Sequence, residues 1–248
     1  MNIKSVLLPA LCMVANSLVF GRQQPVPLTA SRFSTAGFYA IPGSPRKVFN
    51  FNPGWRFYKG DVKGAENPAF NDKDWEVVNT PHGLEVEKEN ASGMRNYQGP
   101  AWYRKSFVTP AGARTQRLVI YFEAVMGKSI LWINGHQVAE HFGGYLPFSA
   151  EISEYLNEEG KNNVIAVMAD NSDDPSYPPG KPQNNLDFTY LGGIYRDVFL
   201  VQTPSVHVSL TNESKTVAGG GVYVAVKDIN GQSALLDVRT EVMNESKV

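Results

Sequence analysis

The sequence predicts an all-β protein, and three observations support this fold class. From Lys47 onward, short apolar runs alternate with turn residues, which is the pattern of strands joined by tight connections. An apolar spacing of i, i+3, i+4 never persists for three turns, so long amphipathic helices are not expected. The chain of 248 residues contains 22 glycines and 16 prolines, and 11% of it is aromatic, a composition typical of turn-rich β proteins.

Four segments are apolar at almost every position and are predicted to be inner strands that are covered on both faces. They are Leu118–Val125, Ile130–Ile133, Val164–Ala169 and Val198–Val201. Asn134 and Gly135 follow the second segment, and both tolerate the positive φ that a type I′ turn requires, so they predict a hairpin. Residues Glu151–Leu156 are expected to form one helical turn at most.

The charge balance and the cysteine content exclude several function classes. The chain has 23 Lys and Arg against 24 Asp and Glu, a net charge of -1. Such a balance does not supply the positive surface that binds a phosphate backbone, so no nucleic-acid partner is expected. A single cysteine allows neither an internal disulfide nor a multi-thiolate metal site. The hydrophobic fraction of 42% suffices for one large domain or two small ones.

The first 21 residues are typical of a secretory signal peptide. Lys4 precedes an apolar stretch, Val6–Phe20, which is too short to span a bilayer and is interrupted by Pro9. Cleavage is predicted after Gly21 and would remove the lone Cys12. The mature protein is therefore expected to be secreted, to a bacterial periplasm, with no membrane association after cleavage. A lipid anchor and a buried N-terminal element are the alternatives.

The patterning changes after Thr203, which indicates a second unit. Val206, Val208 and later Val224 alternate with polar neighbours, as in strands of a sandwich with one buried face. An immunoglobulin-like sandwich takes about 100 residues, more than the rest of the sequence provides, so this unit is expected to be incomplete with an open apolar face. The predicted organisation is a signal peptide at 1–21, a linker at 22–46, a first domain at 47–203 and the second unit at 204–248.

The segment from Ala169 to Asp197 is the chemically distinct part of the chain. It combines carboxylates, amides, aromatics and prolines, and such a loop suits sugar recognition because hydroxyls need directed acceptors and pyranose faces stack on aromatic rings. A purely structural loop is the alternative. The carboxylate pairs Asp173–Asp174 and Glu158–Glu159 are adjacent and point apart on an extended chain, so neither forms the facing acid and base of a glycosidase. No catalytic residue is predicted.

Four motifs occur in order along the chain: Phe70–His82 (FNDKDWEVVNTPH), Gly99–Phe107 (GPAWYRKSF), Leu131–Gly135 (LWING) and Gly192–Val198 (GGIYRDV). Together they resemble the N-terminal sugar-binding domain of glycoside hydrolase family 2, the family of β-galactosidases, β-glucuronidases and β-mannosidases. The resemblance covers about Phe51 to Val201. It implies a jelly-roll β-sandwich of the galactose-binding type, followed by the start of an immunoglobulin-like domain.

The resemblance also bears on chemistry. In the family the two catalytic glutamates lie in a (β/α)8 barrel, and no glutamate of this sequence matches either catalytic motif. The chain alone is therefore expected to be inactive, with a carbohydrate such as a β-galactoside as ligand and the catalytic barrel of the same polypeptide as partner.

One substrate contact is carried over from the β-galactosidase branch. An aspartate of a Trp-Ser-Asp stretch reaches the sugar and a sodium ion there, and Asn171-Ser172-Asp173 occupies that place. The resemblance thus implies a substrate contact, and a sodium ion, at Asp173; the alternative is an aspartate that caps a turn ahead of Pro175. No other cofactor is implied.

The second family contact, two places after Pro81, falls on Gly83, which has no side chain and puts strict β-galactosidase specificity in doubt. His82 is predicted to line the same pocket as Asp173, with a structural histidine as the alternative. A further set is predicted to be scaffold: Trp102, Tyr103, Arg104, Trp132, Tyr195 and Arg196.

The sequence therefore predicts the N-terminal piece of an exported family 2 hydrolase of β-linked sugars, most like a β-galactosidase. The alternatives are a β-glucuronidase or β-mannosidase type, a free-standing carbohydrate-binding module, and a protein-interaction sandwich without a ligand.

Overall fold

The computed structural model describes residues 27–30, 43–84, 97–186, 191–216 and 219–246. The predicted signal peptide with Cys12, and most of the predicted linker, lie outside these ranges. Across the ranges that are described, no helix combines the length and the apolarity needed to cross a bilayer.

The structure is all-β, as predicted, and the described ranges include two short 3-10 turns. One turn, Ser153–Tyr155, is the predicted single helical turn, and the other is Gln183–Asn185. The strands are β1 (Thr29–Ala30), β2 (Lys47–Asn50), β3 (Trp55–Lys59), β4 (Glu76–Val78), β5 (Pro100–Val108), β6 (Arg117–Phe122), β7 (Lys128–Ile133), β8 (His136–Phe142), β9 (Phe148–Glu151), β10 (Asn162–Asp170), β11 (Val198–Thr203), β12 (Val206–Val208), β13 (Val222–Ile229), β14 (Ala234–Thr240) and β15 (Val242–Asn244).

The first eleven strands form two antiparallel sheets packed face to face, which confirms the predicted jelly-roll sandwich. One sheet has the order β1-β2-β11-β6-β9 and the other β4-β3-β5-β10-β7-β8. Successive side chains of a strand point to opposite faces, so Ala101, Tyr103 and Phe107 of β5 enter the core between the sheets, opposite Leu118 and Ile120 of β6. β1 lies in the predicted linker and pairs with β2.

The predicted inner strands β6 and β11 are covered on both faces, whereas Ile130 and Trp132 on the outer face of β7 are half-buried. On the outer side of the five-stranded sheet, Val119 and Tyr121 pack with Phe199 and with Leu210 from the segment that follows β12. On the outer side of the six-stranded sheet, Trp102 packs with Trp75 and other residues of the connection between β3 and β4. This double burial explains why β6 and β11 are apolar at nearly every position.

The predicted hairpin joins β7 to β8. Asn134 and Gly135 have φ values of 51° and 86°, which are the left-handed conformations that a type I′ turn requires. The Asn134 amide donates to the Tyr155 carbonyl at 2.8 Å and to Asn163 Oδ1 at 2.9 Å, so the turn is also tied to β10.

Two buried cations lie on β5: Lys105 faces the core between the sheets, and Arg104 faces the outer side of the six-stranded sheet. Arg104 Nε donates to Asp72 Oδ2 at 2.9 Å, and both side chains are buried. Lys105 Nζ donates to the carbonyl oxygens of Phe51 and Pro53, at 2.8 Å each. Lys105 also lies 4.0 Å from the centroid of the Phe51 ring, and burial lowers its pKa to about 7. The first pair fastens the connection between β3 and β4 to the sheet.

The remaining strands form two small pairs, β12 with β15 and β13 with β14. In the second pair Val224 lies opposite Val238 and Val226 opposite Leu236, and all four are more than half exposed. The one-sided apolar face predicted for the second unit is thus present and uncovered by any described residue. The division at 203 and 204 stays a prediction.

Arg117 joins this region to the sandwich. Its Nε lies 3.1 Å from Glu151 Oε2 and 2.9 Å from Glu245 Oε2, and its Nη2 contacts Glu213. Desolvation of the guanidinium lowers its pKa, but the hydrogen bond and charge of Glu213 outweigh this and raise the pKa overall.

Candidate functional site

One end of the six-stranded sheet brings together the loops that carry the predicted site. Asp170, the last residue of β10, pairs with Pro100 at the start of β5 and with Lys128 at the start of β7. Residues 97–99, 123–127 and 171–173 therefore meet at the same edge, and we call this edge the loop end. Its position follows from antiparallel pairing, because the end of one strand lies beside the start of its antiparallel neighbour.

Asp173 lies exposed at the loop end. Its Oδ1 accepts a hydrogen bond from Gln98 Nε2 at 2.7 Å and another from the backbone N–H of Gln183 at 2.9 Å. The carboxylate is thereby held between the segment that precedes β5 and a turn ten residues later. A carboxylate fixed in this way can accept hydrogen bonds from sugar hydroxyls without a large loss of side-chain entropy.

The neighbouring carboxylate, that of Asp174, caps the turn that contains Pro175. Asp174 Oδ1 accepts from the backbone N–H of Ser176 at 2.8 Å, and also from the Ser176 hydroxyl. These hydrogen bonds lower the pKa of Asp174. Asp170 Oδ1 similarly accepts from the Ser172 N–H at 2.9 Å. Asp170 and Asp174 thus cap the local turns, Asp173 accepts from the first residue of the later 3-10 turn, and substrate contact by Asp173 stays a prediction.

The surroundings of Asp173 fit a sodium ion poorly. Two N–H donors point at Oδ1, whereas a cation site needs several convergent oxygens. Within the described ranges, three or more His, Cys, Asp or Glu side chains never gather in a metal-binding group. The sodium ion stays a prediction from the resemblance, and no chemistry is derived through it.

Asn171 anchors the loops on which Asp173 sits. Its Nδ2 donates to the Tyr97 carbonyl at 2.8 Å and its Oδ1 accepts from the Gly99 N–H at 3.0 Å. Gly192 packs against this amide: a Cβ there would lie 2.4 Å from Asn171 Nδ2. Sequence reasoning singled out Asp173 and missed Asn171, although an amide two places after the apolar run Val164–Ala169 was the available signal.

His82 is half-buried and follows the cis peptide bond between Thr80 and Pro81. Its Nδ1 lies 2.9 Å from the Tyr103 hydroxyl, and its backbone N–H donates to the Ile194 carbonyl at 2.7 Å. Burial lowers the pKa of His82 despite the opposing charge of Glu76. The imidazole is therefore neutral at pH 7, able to donate from one nitrogen and accept at the other.

His82 lines an open groove of about 550 Å³, which we call the Tyr58 groove. Its walls come from the end of β3, the start of β4 and the loop after Pro81. The lining residues are Phe57, Tyr58, Lys59, Asp74, Trp75, Glu76, His82 and Gly83.

His82 and Asp173 belong to adjacent loops with different contacts. The segment Gly192–Gly193 lies between them: the Leu84 N–H donates to the Gly192 carbonyl at 3.1 Å, and Gly192 packs against Asn171. Whether both side chains contact one sugar stays a prediction.

Three of the six residues predicted as scaffold, Trp102, Tyr103 and Arg104, are buried, and Trp132 and Tyr195 are half-buried. Trp102 stacks on Trp132 with ring centroids 5.2 Å apart, and Tyr103 and Arg104 are fully buried. The Tyr195 hydroxyl donates to the Gly144 carbonyl. Arg196 differs, because it is exposed and its guanidinium lies 5.6 Å from the Tyr195 ring centroid.

Comparison with known proteins identifies the family. Residues 70–204 match the family described as glycosyl hydrolases family 2, sugar binding domain. The chain therefore belongs to glycoside hydrolase family 2, and the region that matches is its sugar-binding domain.

Characterised relatives agree with this membership. The chain is 34% identical to Beta-galactosidase BoGH2A of Bacteroides ovatus, over 82% of this chain and 22% of the relative. It is 31% identical to a beta-glucuronidase of Formosa agariphila, over 83% of this chain and 22% of that one. The crystal structure of a Bacteroides uniformis beta-glucuronidase superposes with a TM-score of 0.67 at 30% identity, over 81% of this chain and 22% of that structure. The chain thus spans about a fifth of the length of these relatives.

Proposed function

We propose that this chain is the sugar-binding portion of an exported family 2 hydrolase that cleaves terminal β-linked sugars, most like a β-galactosidase. The observation that carries the proposal is the Asp173 carboxylate, which Gln98 and the Gln183 N–H hold at the loop end of a family 2 sugar-binding domain. The similarity to BoGH2A supports the choice of sugar. Gly83 offers no side chain for a second contact, so the preference is expected to be less strict than in a dedicated β-galactosidase.

The role of the chain in this proposal is to orient substrate. All strand pairs of the described residues are antiparallel, so the described part holds none of the parallel strands of a (β/α)8 barrel. In the complete enzyme, two carboxyls of the barrel would cleave the glycoside with retention through a covalent intermediate. Asp173 would fix the sugar relative to them, and His82 would line the pocket, which lowers the entropic cost of reaching the transition state.

Hydrolysis by the isolated chain tests this division of roles. Residues 22–248 are expressed and assayed with chromogenic β-galactosides and β-glucuronides. The expected result is no turnover above the rate without protein. Turnover at enzyme-like rates, about 1 s⁻¹ or more, would overturn the proposal, because it would place a complete acid and base pair within these residues.

The names of several relatives support a second candidate, a β-glucuronidase. The charge of Asp173 favours the neutral sugar, since a carboxylate repels the carboxylate of a glucuronide. Calorimetry with methyl β-galactoside and methyl β-glucuronide separates the two candidates. Tighter binding of the galactoside supports the first, and tighter binding of the glucuronide supports the second.

Export is the remaining part of the proposal. We infer secretion to the periplasm from residues 1–21. Mass spectrometry of protein recovered from a periplasmic extract is expected to show a mature N-terminus at Arg22. An intact Met1 in a cytoplasmic fraction would contradict it.

A further inference from the structure

An exposed pair of aromatic rings lies on the outer side of the six-stranded sheet, at the loop end. On β8, His141 points inward and stacks on Phe148 of the other sheet, with ring centroids 4.5 Å apart. Its neighbour Phe142 therefore points outward, and it is 51% exposed. The Tyr177 ring lies beside Phe142, with centroids 5.6 Å apart and an interplanar angle of 51°. We call Phe142 and Tyr177 the outer aromatic pair.

Neighbouring charged groups hold this pair in place. Lys128 lies opposite Phe142 in the pairing of β7 with β8. Its Nζ is 5.4 Å from the Phe142 ring centroid and 2.7 Å from Glu140 Oε1. Asp174 caps the turn that leads into Tyr177. Both rings are thus restrained before any ligand arrives, which reduces the side-chain entropy lost on binding.

The pair is bordered by a hydrogen-bond donor and an acceptor. Burial and the charges of Asp174 and Asp170 raise the pKa of Tyr177, so its hydroxyl stays protonated and can donate. Asp174 uses Oδ1 to cap its own turn, and its other oxygen can accept. Aromatic faces pack against the C–H face of a pyranose, and groups of this kind bind the hydroxyls at the ring edge. The surroundings of the pair therefore suit a sugar.

The pair lies at a distance from Asp173 that matters for the length of the ligand. Asp173 follows β10 and Phe142 ends β8, and only β7 separates these two strands in the sheet. Two strand spacings place the strand ends about 10 Å apart. Tyr177 lies four residues after Asp173 in the same loop. One pyranose ring is too small to contact both places, whereas two linked rings can span them.

We propose that the outer aromatic pair is a subsite for a second sugar, the one joined to the sugar that Asp173 contacts. The inference rests on the proposed function, and it specifies the substrate as a neutral glycan of at least two sugars. Tyr177 supplies the stacking face, and its hydroxyl and Asp174 contact the hydroxyls of the second ring. Lys128 is paired with Glu140, so its charge does not select an anionic sugar.

The test compares methyl β-galactoside, with one sugar, and lactose, with two, in NMR titrations of the whole chain. Methyl β-galactoside is expected to shift the side-chain amide of Gln98 and the backbone amide of Gln183, which both donate to Asp173. Lactose is expected to shift the backbone amides of Phe142 and Tyr177 as well. It is also expected to bind up to about tenfold more tightly, because its second ring stacks on the pair.

Variants of the pair identify the source of this gain. Tyr177→Ala is expected to reduce the affinity for lactose to that for methyl β-galactoside, and to leave the latter unchanged. Phe142→Ala removes the partner ring from a different element and is expected to weaken lactose binding in the same way. Tyr177→Phe keeps the ring and is expected to retain most of the gain. Tyr223→Ala, at a tyrosine of β13 that is 53% exposed, is the control, with no expected change.

The outcomes separate the subsite from the contact at Asp173. If both ligands shift Gln98 and Gln183 but bind equally, or if Tyr177→Ala and Phe142→Ala leave lactose binding unchanged, the subsite is refuted and the proposed function stands. If lactose shifts Phe142 and Tyr177 without affecting Gln98 and Gln183, the pair binds sugar independently of Asp173, and both proposals are wrong. The absence of any shift with either ligand would likewise refute both.

Discussion

The Tyr103 hydroxyl lies 2.9 Å from Nδ1 of His82, so a residue of the innermost core positions an imidazole at the surface. Tyr103 is fully buried on β5, and burial raises the pKa of its phenol, which keeps the hydroxyl protonated at all ordinary pH values. The imidazole is thus oriented by a neutral partner, and its state at pH 7 depends on its own burial and on Glu76.

The first prediction concerns the ionisation of His82. Because burial lowers its pKa, an NMR titration is expected to give His82 a pKa below the ordinary value of about 6.5. Glu76→Gln removes the charge that opposes this shift, so the pKa is expected to fall further. A His82 pKa of 6.5 or above, or a rise in Glu76→Gln, would contradict the environment described for the imidazole.

Lys105 makes stability depend on pH. Burial lowers its pKa to about 7 in the fold, against about 10.4 in the unfolded chain. Between these values the unfolded state binds one more proton, so the free energy of unfolding is expected to rise with pH, by up to about 1.4 kcal/mol per unit between about pH 7 and 9.

Urea unfolding at several pH values measures this slope. Lys105→Met is expected to flatten it, whereas Lys73→Met, at an exposed lysine, is expected to leave it unchanged. Equal slopes for the wild-type chain and Lys105→Met would show that Lys105 is not the group responsible.

The buried pair of Arg104 and Asp72 is expected to be important for stability. Asp72→Ala leaves the Arg104 guanidinium buried without its carboxylate, and the expected loss is about 3–5 kcal/mol in the free energy of unfolding. Asp74→Ala, at an exposed position two residues later, is the control, with an expected change within about 0.5 kcal/mol. Similar losses from both variants would refute a specific role for the pair.

Asn171 is expected to hold the loop end together. Asn171→Ala leaves the Gly99 N–H and the Tyr97 carbonyl without their partner, at a cost of about 1–3 kcal/mol, and the Gly99 amide is expected to exchange faster with solvent. Asn185→Ala, at an exposed amide in the nearby 3-10 turn, serves as the comparison. Unchanged protection of Gly99 in Asn171→Ala would show that other contacts fix these loops.

Local features of the fold were predictable from the sequence. Apolar runs located β6, β7, β10 and β11, because a strand covered on both faces has no polar period. Asn134 and Gly135 located a hairpin because few residue pairs accept positive φ. The resemblance added the jelly roll, since topology depends on pairings that no local pattern encodes.

The details of the site were less predictable, because its contacts join distant parts of the chain. Asp173 was predicted, but its partner Gln98 lies 75 residues away, and no local signal connects them. Tyr58 and Trp75 come together only because β3 and β4 pair, which gives the Tyr58 groove no sequence motif of its own.

The most direct test of the account is an NMR titration of the chain with methyl β-galactoside, observed at the side-chain amide of Gln98 and the backbone amide of Gln183. Both donate to Asp173 Oδ1, so a sugar hydroxyl that binds this carboxylate must perturb them. The account predicts saturable shifts at both amides that are absent in Asp173→Ala. Unperturbed amides at galactoside concentrations that saturate the rest of the protein would contradict it.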